Sequence, residues 1–242
     1  MDNIKYPQIS VVVPAKNEAK LLPKCLASLT QQHTKVSYEI IVVDTNSEDG
    51  TPEIARSFGA RIINEPRQGK VYAFRSGAEA ARGNILCFAE ADCILPKNWI
   101  ETISSYLDRH PEVVAISGTY TFHSSTPLLN LLAPVIHKIA QWIYYLLYAS
   151  VSLRGSNFAI RKDIYQAVGG FPDNYFELYD VELGLRVARL GPIHHVPSME
   201  IKTSDRRFRG RILRFISEFI PSFVRNILLQ RPLQSQTYKD IR

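Results

Sequence analysis

The chain has 242 residues, enough for one large domain with a sizeable core, or for one domain with an appended piece. A hydrophobic fraction of 45% and a charged fraction of 21% exclude an intrinsically disordered chain. The net charge of +6 favours contact with phosphates, nucleic acid or an anionic membrane surface, without deciding among them.

The first half of the chain alternates predicted strands and helices. In chain order, the predicted strands are QISVVVPA, YEIIVVD, ARIIN and NILCFAEAD. The predicted helices between them are NEAKLLPKCLASLTQQ, SEDGTPEIARSFG and GKVYAFRSGAEAARG. Because the strands are continuous apolar runs separated by helices, they indicate a mainly parallel sheet that is covered on both faces.

Polar residues follow each of these predicted strands. The segments concerned are 14–18, 44–49, 64–70 and 90–92, and acidic residues recur in them. Ligands of such sheets bind beyond the carboxyl ends of the strands. We therefore expect the functional site at one edge of the sheet, assembled from successive loops.

Two acids, Glu90 and Asp92, directly follow the apolar run ILCFA. Carboxylates this close repel each other, so they either cap the next helix or lie around a cation. A hard divalent cation such as Mg²⁺ or Mn²⁺ takes oxygen ligands, keeps several waters and often binds substrate phosphates. Taken alone, the pair leaves both interpretations open.

An ordered series of motifs extends over residues 8–191. It consists of VVVPAKNEA, IIVVDTNSEDGT, NEPRQGKVYAFRSGAEAARGNILCFAEAD, GSNFAIRKDIYQAVGGFP and YDVELGLRVARLG. In order and spacing these motifs resemble those of the family 2 inverting glycosyltransferases. The resemblance implies an α/β GT-A fold, which binds a nucleotide-diphospho-sugar. This fold has a mainly parallel central sheet that is flanked by helices, and we expect extra apolar helices in this chain. It also implies transfer of a sugar to a hydroxyl or phosphate acceptor by a metal-assisted single displacement.

The resemblance also implies roles for individual residues. Asp92 is expected to bind Mg²⁺ or Mn²⁺, with Glu90 and His195 as further candidate ligands, and Asp180 is expected to be the general base. The expected donor-binding residues are Pro14, Asn17, Glu18, Asp44, Lys70, Arg75, Glu90 and Ala91. The expected acceptor or phosphate residues are Gly155, Ser156, Asn157, Arg206 and Arg207.

Two motifs depart from the family pattern. The family's Asp-x-Asp is Glu90-Ala91-Asp92 here, and its Glu-Asp pair is Tyr179-Asp180. Since the last acid of each motif is present, the departures bear on positioning more than on chemistry.

Each of these residues also has a structural interpretation. Asp180 could cap the helix that it begins, and Arg75 could pair with Glu79 one turn later. The other acids could stabilise turns, and the basic residues could lie on a solvated surface. Of His194 and His195 only one can face the site, because neighbouring strand residues point to opposite faces of a sheet.

Two apolar segments fall outside the alternating pattern. We predict a glycosyltransferase domain over 1–205, with an apolar helical insertion at about 126–151, and a basic amphipathic helical tail over 206–242. Pro127–Val151 is long enough to span a bilayer, but it contains Lys138, so an interfacial helix is favoured. Its aromatic residues expected at head-group depth are Trp142, Tyr144, Tyr145 and Tyr148. Packing on the sheet, or a dimer interface, is the competing explanation.

These features together predict the setting and the partners. The start of the chain, MDNIKYPQIS, lacks a signal-peptide apolar stretch. Cys25, Cys87 and Cys93 match no metal-binding spacing, which favours a reduced, cytoplasmic setting. We expect a peripheral protein on the cytoplasmic membrane face, with a nucleotide-sugar donor and a lipid-linked or membrane-proximal acceptor. Nucleic acid is not expected as a partner, and a homo-oligomer is left open.

The sequence also bears on three other function classes. A sugar-nucleotide pyrophosphorylase would need a glycine-rich loop with an Arg-Lys cluster after the first strand, and VVVPAKNEA has none. A nicotinamide-dependent dehydrogenase is disfavoured because no G-x-G-x-x-G follows a strand. A non-catalytic, membrane-bound scaffold on a transferase fold remains open, because of Glu90 and Tyr179 at the altered motifs.

Overall fold

Residues 6–122, 127–153, 155–172 and 178–206 are described by the structure, which is a computed structural model. The strands are β1 Ile9–Ala15, β2 Tyr38–Asp44, β3 Arg61–Asn64, β4 Ile85–Ala89, β5 Ala115–Ser117, β6 Tyr120–Phe122, β7 Asn157–Arg161, β8 Ile193–His195 and β9 Ile201–Thr203. The helices are α1 Leu22–Thr30, α2 Thr51–Ser57, α3 Lys70–Ala80, α4 Trp99–Arg109, α5 Pro127–Tyr148, α6 Lys162–Ala167 and α7 Tyr179–Val187. The predicted tail beyond residue 206 lies outside the described residues.

The central sheet has seven strands in the order β3-β2-β1-β4-β7-β5-β8. Strands β3, β2, β1 and β4 are parallel to one another, whereas β7 is antiparallel to both of its neighbours. Strands β6 and β9 form a separate parallel pair. The predicted mainly parallel sheet flanked by helices is thus confirmed.

Two apolar cores cover the two faces of the sheet. On one face, β-strand side chains pack with α1, α2 and α4, and Trp99 is fully buried there. On the other face they pack with α3, α6 and α7 around Phe74, Phe88 and Phe158. The continuous burial of β1 and β4 explains why these sequences are apolar without alternation.

Helix α5 occupies the segment in which the sequence predicts an apolar insertion. One side of it contacts α7, because Tyr144 and Tyr148 pack with Val181 and Leu178. Its opposite side carries exposed apolar residues, among them Trp142, which is 63% exposed. Among the described residues, no helix combines the length and the apolar character needed to cross a membrane.

Candidate active site

The carboxyl ends of the parallel strands place several polar residues at one edge of the sheet. Ala15 at the end of β1 is in register with Asp44 at the end of β2, and Asp44 is in register with Asn64 at the end of β3. Strand β4 runs beside β1 and leads directly into Glu90. The parallel arrangement therefore brings the predicted loops together at the position where ligands of such sheets bind.

Asp44 is a buried acid with unused hydrogen-bonding capacity. Its side chain lies at the end of β2 and is 6% exposed. Its Oδ2 accepts a hydrogen bond from the Ser47 backbone N–H at 3.2 Å. Its Oδ1 is buried and has no hydrogen-bond partner among the residues that the structure describes. Since an unpaired buried carboxylate oxygen is costly, this atom is suited to accept a hydrogen bond from a ligand N–H or O–H group.

Hydrogen bonds connect the loop after β1 to the loop after β2. Asn17 has a φ of 50°, in the left-handed region that asparagine tolerates better than most residues. Its Oδ1 accepts from the Glu48 N–H at 2.7 Å, and its own N–H donates to Ser47 Oγ at 2.8 Å. Pro14 is buried within β1. Of the predicted donor-binding residues, these two therefore shape the backbone of the site.

Lys70 and Glu90 form an ion pair between α3 and the end of β4. The Nζ of Lys70 lies 2.8 Å from Oε2 of Glu90. Lys70 is the first residue of α3, and Ala91 beside the acid is buried. Lys70 thus lies next to the acid pair instead of extending into open solvent.

Arg206 joins two of the predicted site acids. Its guanidinium contacts both carboxylate oxygens of Glu18, one of them at 3.0 Å. Its Nε lies 3.4 Å from Oδ2 of Asp92, whose Oδ1 accepts a hydrogen bond from Thr203 Oγ1 at 3.3 Å. Asp92 is 5% exposed, so this contact places a cation against a buried acid. The predicted neighbour, Arg207, lies outside the described residues.

The donor atoms near Asp92 fit one type of metal site. Among the described residues, no group of three or more His, Cys, Asp or Glu side chains could hold a metal ion. Glu90 and Asp92 provide carboxylate oxygens only, and a hard cation can bind through one or two carboxylates plus substrate phosphates. The residues present therefore fit Mg²⁺ or Mn²⁺ shared with a phosphorylated ligand, and do not fit an all-protein metal cage.

The structure does not bring His195 to the acid pair. His195 lies in β8 at the edge of the sheet, with β7 and β5 between β8 and β4. The adjacent His194 is turned towards α4, where its Nδ1 lies 2.9 Å from the Tyr106 hydroxyl.

Two buried thiols, those of Cys25 and Cys93, lie close to the acids. Burial raises the pKa of Cys25, and the charges of Asp92 and Glu18 raise it further. Burial and the charges of Asp92 and Glu90 likewise raise the pKa of Cys93. Both thiols are therefore protonated in the protein as the structure describes it.

Asp180 lies in the first turn of α7. The N-cap position is Leu178, which has a φ of 56°, so Asp180 is not the cap residue that the structural interpretation suggested. Its Oδ2 accepts a hydrogen bond from the Gly155 N–H at 2.6 Å. A Cβ added at Gly155 would lie 3.5 Å from that same oxygen, an ordinary van der Waals contact, so the backbone at Gly155 lies directly against the carboxylate. Ser156, the next residue, is half-buried.

Asn157, predicted on the acceptor side, is instead part of the packing beneath the site. It is fully buried, and its Oδ1 accepts from Trp99 Nε1 at 3.0 Å. Its Nδ2 donates to the backbone oxygens of Thr119 and Met199, the former at 2.8 Å. All of its side-chain groups are used within the protein, so Asn157 positions the start of β7 and does not face a ligand.

Arg75 makes the contact that its structural interpretation predicts. Its Nε lies 3.0 Å from Oε1 of Glu79, one turn further along α3.

Glu65, which directly follows β3, is a buried acid of this edge that is not among the predicted site residues. Its carboxylate accepts two hydrogen bonds from the Arg67 guanidinium, both at 2.7 Å, and another from the Ser76 hydroxyl. Arg67 in turn lies over the ring of Tyr72, 4.6 Å from its centroid. The available signal was an acid directly after an apolar strand, the same signal that singled out Glu90.

The fold and the site together define a class of protein. The sequence profile of "Glycosyl transferase family 2" matches residues 10–169, and the chain belongs to this family. The predicted resemblance to the family 2 glycosyltransferases is therefore confirmed.

Named relatives are similar over much of this chain. Glycosyltransferase AglE of Haloferax volcanii is 29% identical over 197 residues, which are 76% of this chain and 62% of the relative. The probable glycosyltransferase YdaM of Bacillus subtilis is 28% identical over 78% of this chain and 49% of its own length. The chain thus spans about half to three fifths of the length of these relatives.

Solved structures show the same fold. The mannosyltransferase PcManGT from Pyrobaculum calidifontis, in complex with GDP-Man and Mn²⁺, has a TM-score of 0.68 and 21% identity. The alignment covers 90% of this chain and 65% of that one. Glucosyl-3-phosphoglycerate synthase from Mycobacterium tuberculosis, with Mn²⁺, UDP and glucosyl-3-phosphoglycerate, has a TM-score of 0.64 and 22% identity, covering 95% and 82% of the two chains. These similarities establish the GT-A fold.

Proposed function

We propose that this protein transfers a sugar from a nucleoside-diphosphate sugar to an acceptor with inversion at the anomeric carbon. The observation that carries the proposal is the set of acids at the ends of β1, β2 and β4. Asp44 offers a buried, unpaired oxygen, and Asp92 is a buried acid with a cation beside it. Two structurally similar proteins hold GDP-Man with Mn²⁺, or UDP with Mn²⁺, which supports a nucleotide donor here.

We assign Asp44 and Glu18 to the nucleoside and the cationic side chains to the diphosphate. The unpaired Oδ1 of Asp44 suits an N–H of a base or a ribose hydroxyl, because both are hydrogen-bond donors. Lys70 and Arg206 are paired with acids at the same edge of the sheet, within reach of an incoming anion. Arginine binds phosphate oxygens through two parallel hydrogen bonds, whereas lysine acts as a point charge.

We assign the metal to the same acids. When bound by Asp92, with Glu90 as the second carboxylate, Mg²⁺ or Mn²⁺ would supply Lewis-acid stabilisation to the diphosphate leaving group. The ion pairs to Lys70 and Arg206 hold these carboxylates in place without a ligand. Release of the two cationic side chains would then make them available to phosphate oxygens.

Asp180 is assigned as the general base. An acceptor hydroxyl gives its proton to the Asp180 carboxylate while its oxygen forms a bond to the anomeric carbon. The bond from that carbon to the diphosphate breaks on the opposite side, and the nucleoside diphosphate leaves with the bonding electrons. The hydrogen bond from the Gly155 N–H orients Oδ2 of Asp180.

We further propose that the outer side of α5 binds an anionic bilayer, so that the acceptor is lipid-linked or membrane-proximal. Apart from Tyr6 and Leu190, every exposed large apolar side chain of the described residues lies on α5. This helix contains Lys138 and no acidic residue, and the chain carries a net charge of +6. Exposed tryptophan and tyrosine beside a lysine suit the bilayer interface, while like charge disfavours a second copy of the chain.

Donor binding tests the proposal directly. In a thermal-shift panel of UDP, GDP, CDP and ADP with Mn²⁺, UDP or GDP should raise the Tm of the wild type, because a ligand that binds only the folded state stabilises it. Asp44→Asn should reduce that shift. If none of the four nucleotides raises the Tm, a non-catalytic scaffold would be the better description.

A further inference from the structure

The inner side of α5 faces the helix that carries the proposed base. Tyr144 is 4% exposed and packs against Val181, the residue after Asp180. Tyr148 packs in the same cluster, with its ring centroid 4.9 Å from that of Tyr144. This side of α5 differs from the outer side because the polar atoms of its side chains are buried.

Three of these polar atoms are buried and unused. They are the hydroxyls of Tyr144 and Tyr148 and Nε2 of Gln141, and none has a hydrogen-bond partner within the described part of the chain. Buried polar groups are nearly always hydrogen-bonded in native proteins, because leaving one unpaired destabilises the folded state. Three such atoms on one helix face therefore indicate a site that is completed by a ligand.

Contacts of the loop that follows α5 link this helix to the proposed catalytic acid. Gln141 uses its Oε1 to accept a hydrogen bond from the Ser152 N–H at 3.2 Å, which leaves its amide nitrogen available. Three residues further on, the Gly155 N–H donates to Asp180 at 2.6 Å. Burial raises the pKa of Tyr144, and the neighbouring Tyr148 and Asp180 raise it further, so its hydroxyl stays protonated and can donate.

We propose that Gln141, Tyr144 and Tyr148 form the acceptor-binding pocket, and that it recognises a neutral, hydroxyl-rich head group such as a sugar or polyol. The inference rests on the proposed transferase function and names the acceptor class for that site. All three unpaired atoms can donate a hydrogen bond, so the ligand must present several oxygen acceptors. One of its hydroxyls must also lie at Asp180.

The charge of the pocket favours a neutral group over a phosphate. Tyrosine hydroxyls and a carboxamide are neutral donors, whereas phosphate sites are usually built from arginine, lysine or helix N-termini. The Asp180 carboxylate would repel a phosphate placed beside it.

The first test asks whether the hydroxyls lack partners in the free protein. Tyr144→Phe and Tyr148→Phe remove only the hydroxyl and should not lower the Tm. The matched control is Tyr38→Phe, because the Tyr38 hydroxyl donates to the Leu29 oxygen at 2.7 Å. The control should lower the Tm by about 2–4 °C. An equal fall in the Tm of Tyr144→Phe would overturn the proposal, because the hydroxyl would then be paired already.

The second test measures acceptor use with four probes: octyl β-glucoside, glucose, dodecyl phosphate and glucose 1-phosphate. With octyl β-glucoside, kcat/KM should fall about tenfold in Tyr144→Phe and in Tyr148→Phe, and it should stay unchanged in Tyr38→Phe. Glucose in place of octyl β-glucoside shows whether the head group alone suffices. Preferential use of dodecyl phosphate or glucose 1-phosphate, or equal rates in wild type and variants with every probe, would overturn the proposal. Nucleotide binding by the wild type is measured separately, so a failure of the transferase function is distinguished from a failure of this pocket.

Discussion

Glu65 shows how one side chain fixes the loop after β3. It is nearly fully buried, and hydrogen bonds from Arg67 are the main reason that its pKa falls from 4.5 to about 2. Because the folded-state pKa lies below the ordinary value, the carboxylate stabilises the fold above pH 4.5. That stabilisation is lost as the pH falls towards about 2.

We expect Glu65→Gln to lower the free energy of unfolding at pH 7 by about 1–3 kcal/mol, since half of Arg67 is exposed to screening solvent. The difference between variant and wild type should shrink between pH 4.5 and 2. Urea unfolding at several pH values measures both effects. The control is Glu53→Gln, which breaks a surface pair with Arg56 and should change stability by less than about 0.5 kcal/mol. A difference that does not depend on pH would contradict this role of Glu65.

The Asp180→Asn variant should distinguish a role of Asp180 in the transfer reaction from a role in binding the nucleotide donor. With a hydroxyl acceptor, the variant should retain nucleotide binding but lose turnover by about 100-fold or more, because the acceptor proton has no base to accept it. Single-turnover kinetics with a saturating donor measures this. Full activity of Asp180→Asn would point to an acceptor that is already ionised, such as a phosphate, and would leave Asp180 only a positioning role.

The sequence predicts which residues end a strand, but it does not predict which residues distant in the chain contact each other. The sequence placed Asp44, Glu90 and Asp92 at strand ends because apolar runs stop there, and the structure shows these positions. It could not pair Glu18 with Arg206, because the two residues are separated by 188 positions and meet only through the tertiary fold.

At the scale of secondary-structure elements, Asn157 ties β7 to α4 and to two loops. We expect Asn157→Ala to lower the free energy of unfolding by about 2–4 kcal/mol, because Trp99 Nε1 and two backbone oxygens would lose their partner while buried. Guanidinium unfolding measures the change. The same substitution at the exposed Asn98, which makes no capping hydrogen bond, should have little effect. Equal effects at both positions would contradict the role of Asn157.

Helix α5 shows why a sequence cannot assign the two faces of an apolar helix. Because apolar residues occur all round it, the sequence predicted Tyr144 and Tyr148 at head-group depth together with Trp142. The structure instead turns Tyr144 towards α7, and leaves Trp142 63% exposed and Tyr145 58% exposed. The direction of the Tyr144 side chain depends on its contact with Val181, which is distant from it in the sequence.

At the scale of the whole molecule, the proposed membrane contact predicts co-flotation with vesicles of phosphatidylglycerol and phosphatidylcholine at low salt. High salt should release part of the protein, because charge contributes to the attraction. Leu146→Ala on α5 should reduce the floating fraction, whereas Leu190→Ala, at an exposed position away from α5, should not. Equal loss in both variants, or no flotation of the wild type, would contradict the membrane contact and favour a protein interface.

The central claim is metal-assisted transfer from a nucleotide sugar at Asp92. Its most direct test is the rate of release of UDP or GDP from the corresponding sugar nucleotides, measured with Mn²⁺ for the wild type, Asp92→Asn and Asp108→Asn. We predict turnover by the wild type and by Asp108→Asn, whose side chain is exposed on α4. Asp92→Asn should be slower by at least about a thousandfold, with its far-UV circular dichroism unchanged. A folded Asp92→Asn variant with a near-normal, Mn²⁺-dependent rate would contradict the account.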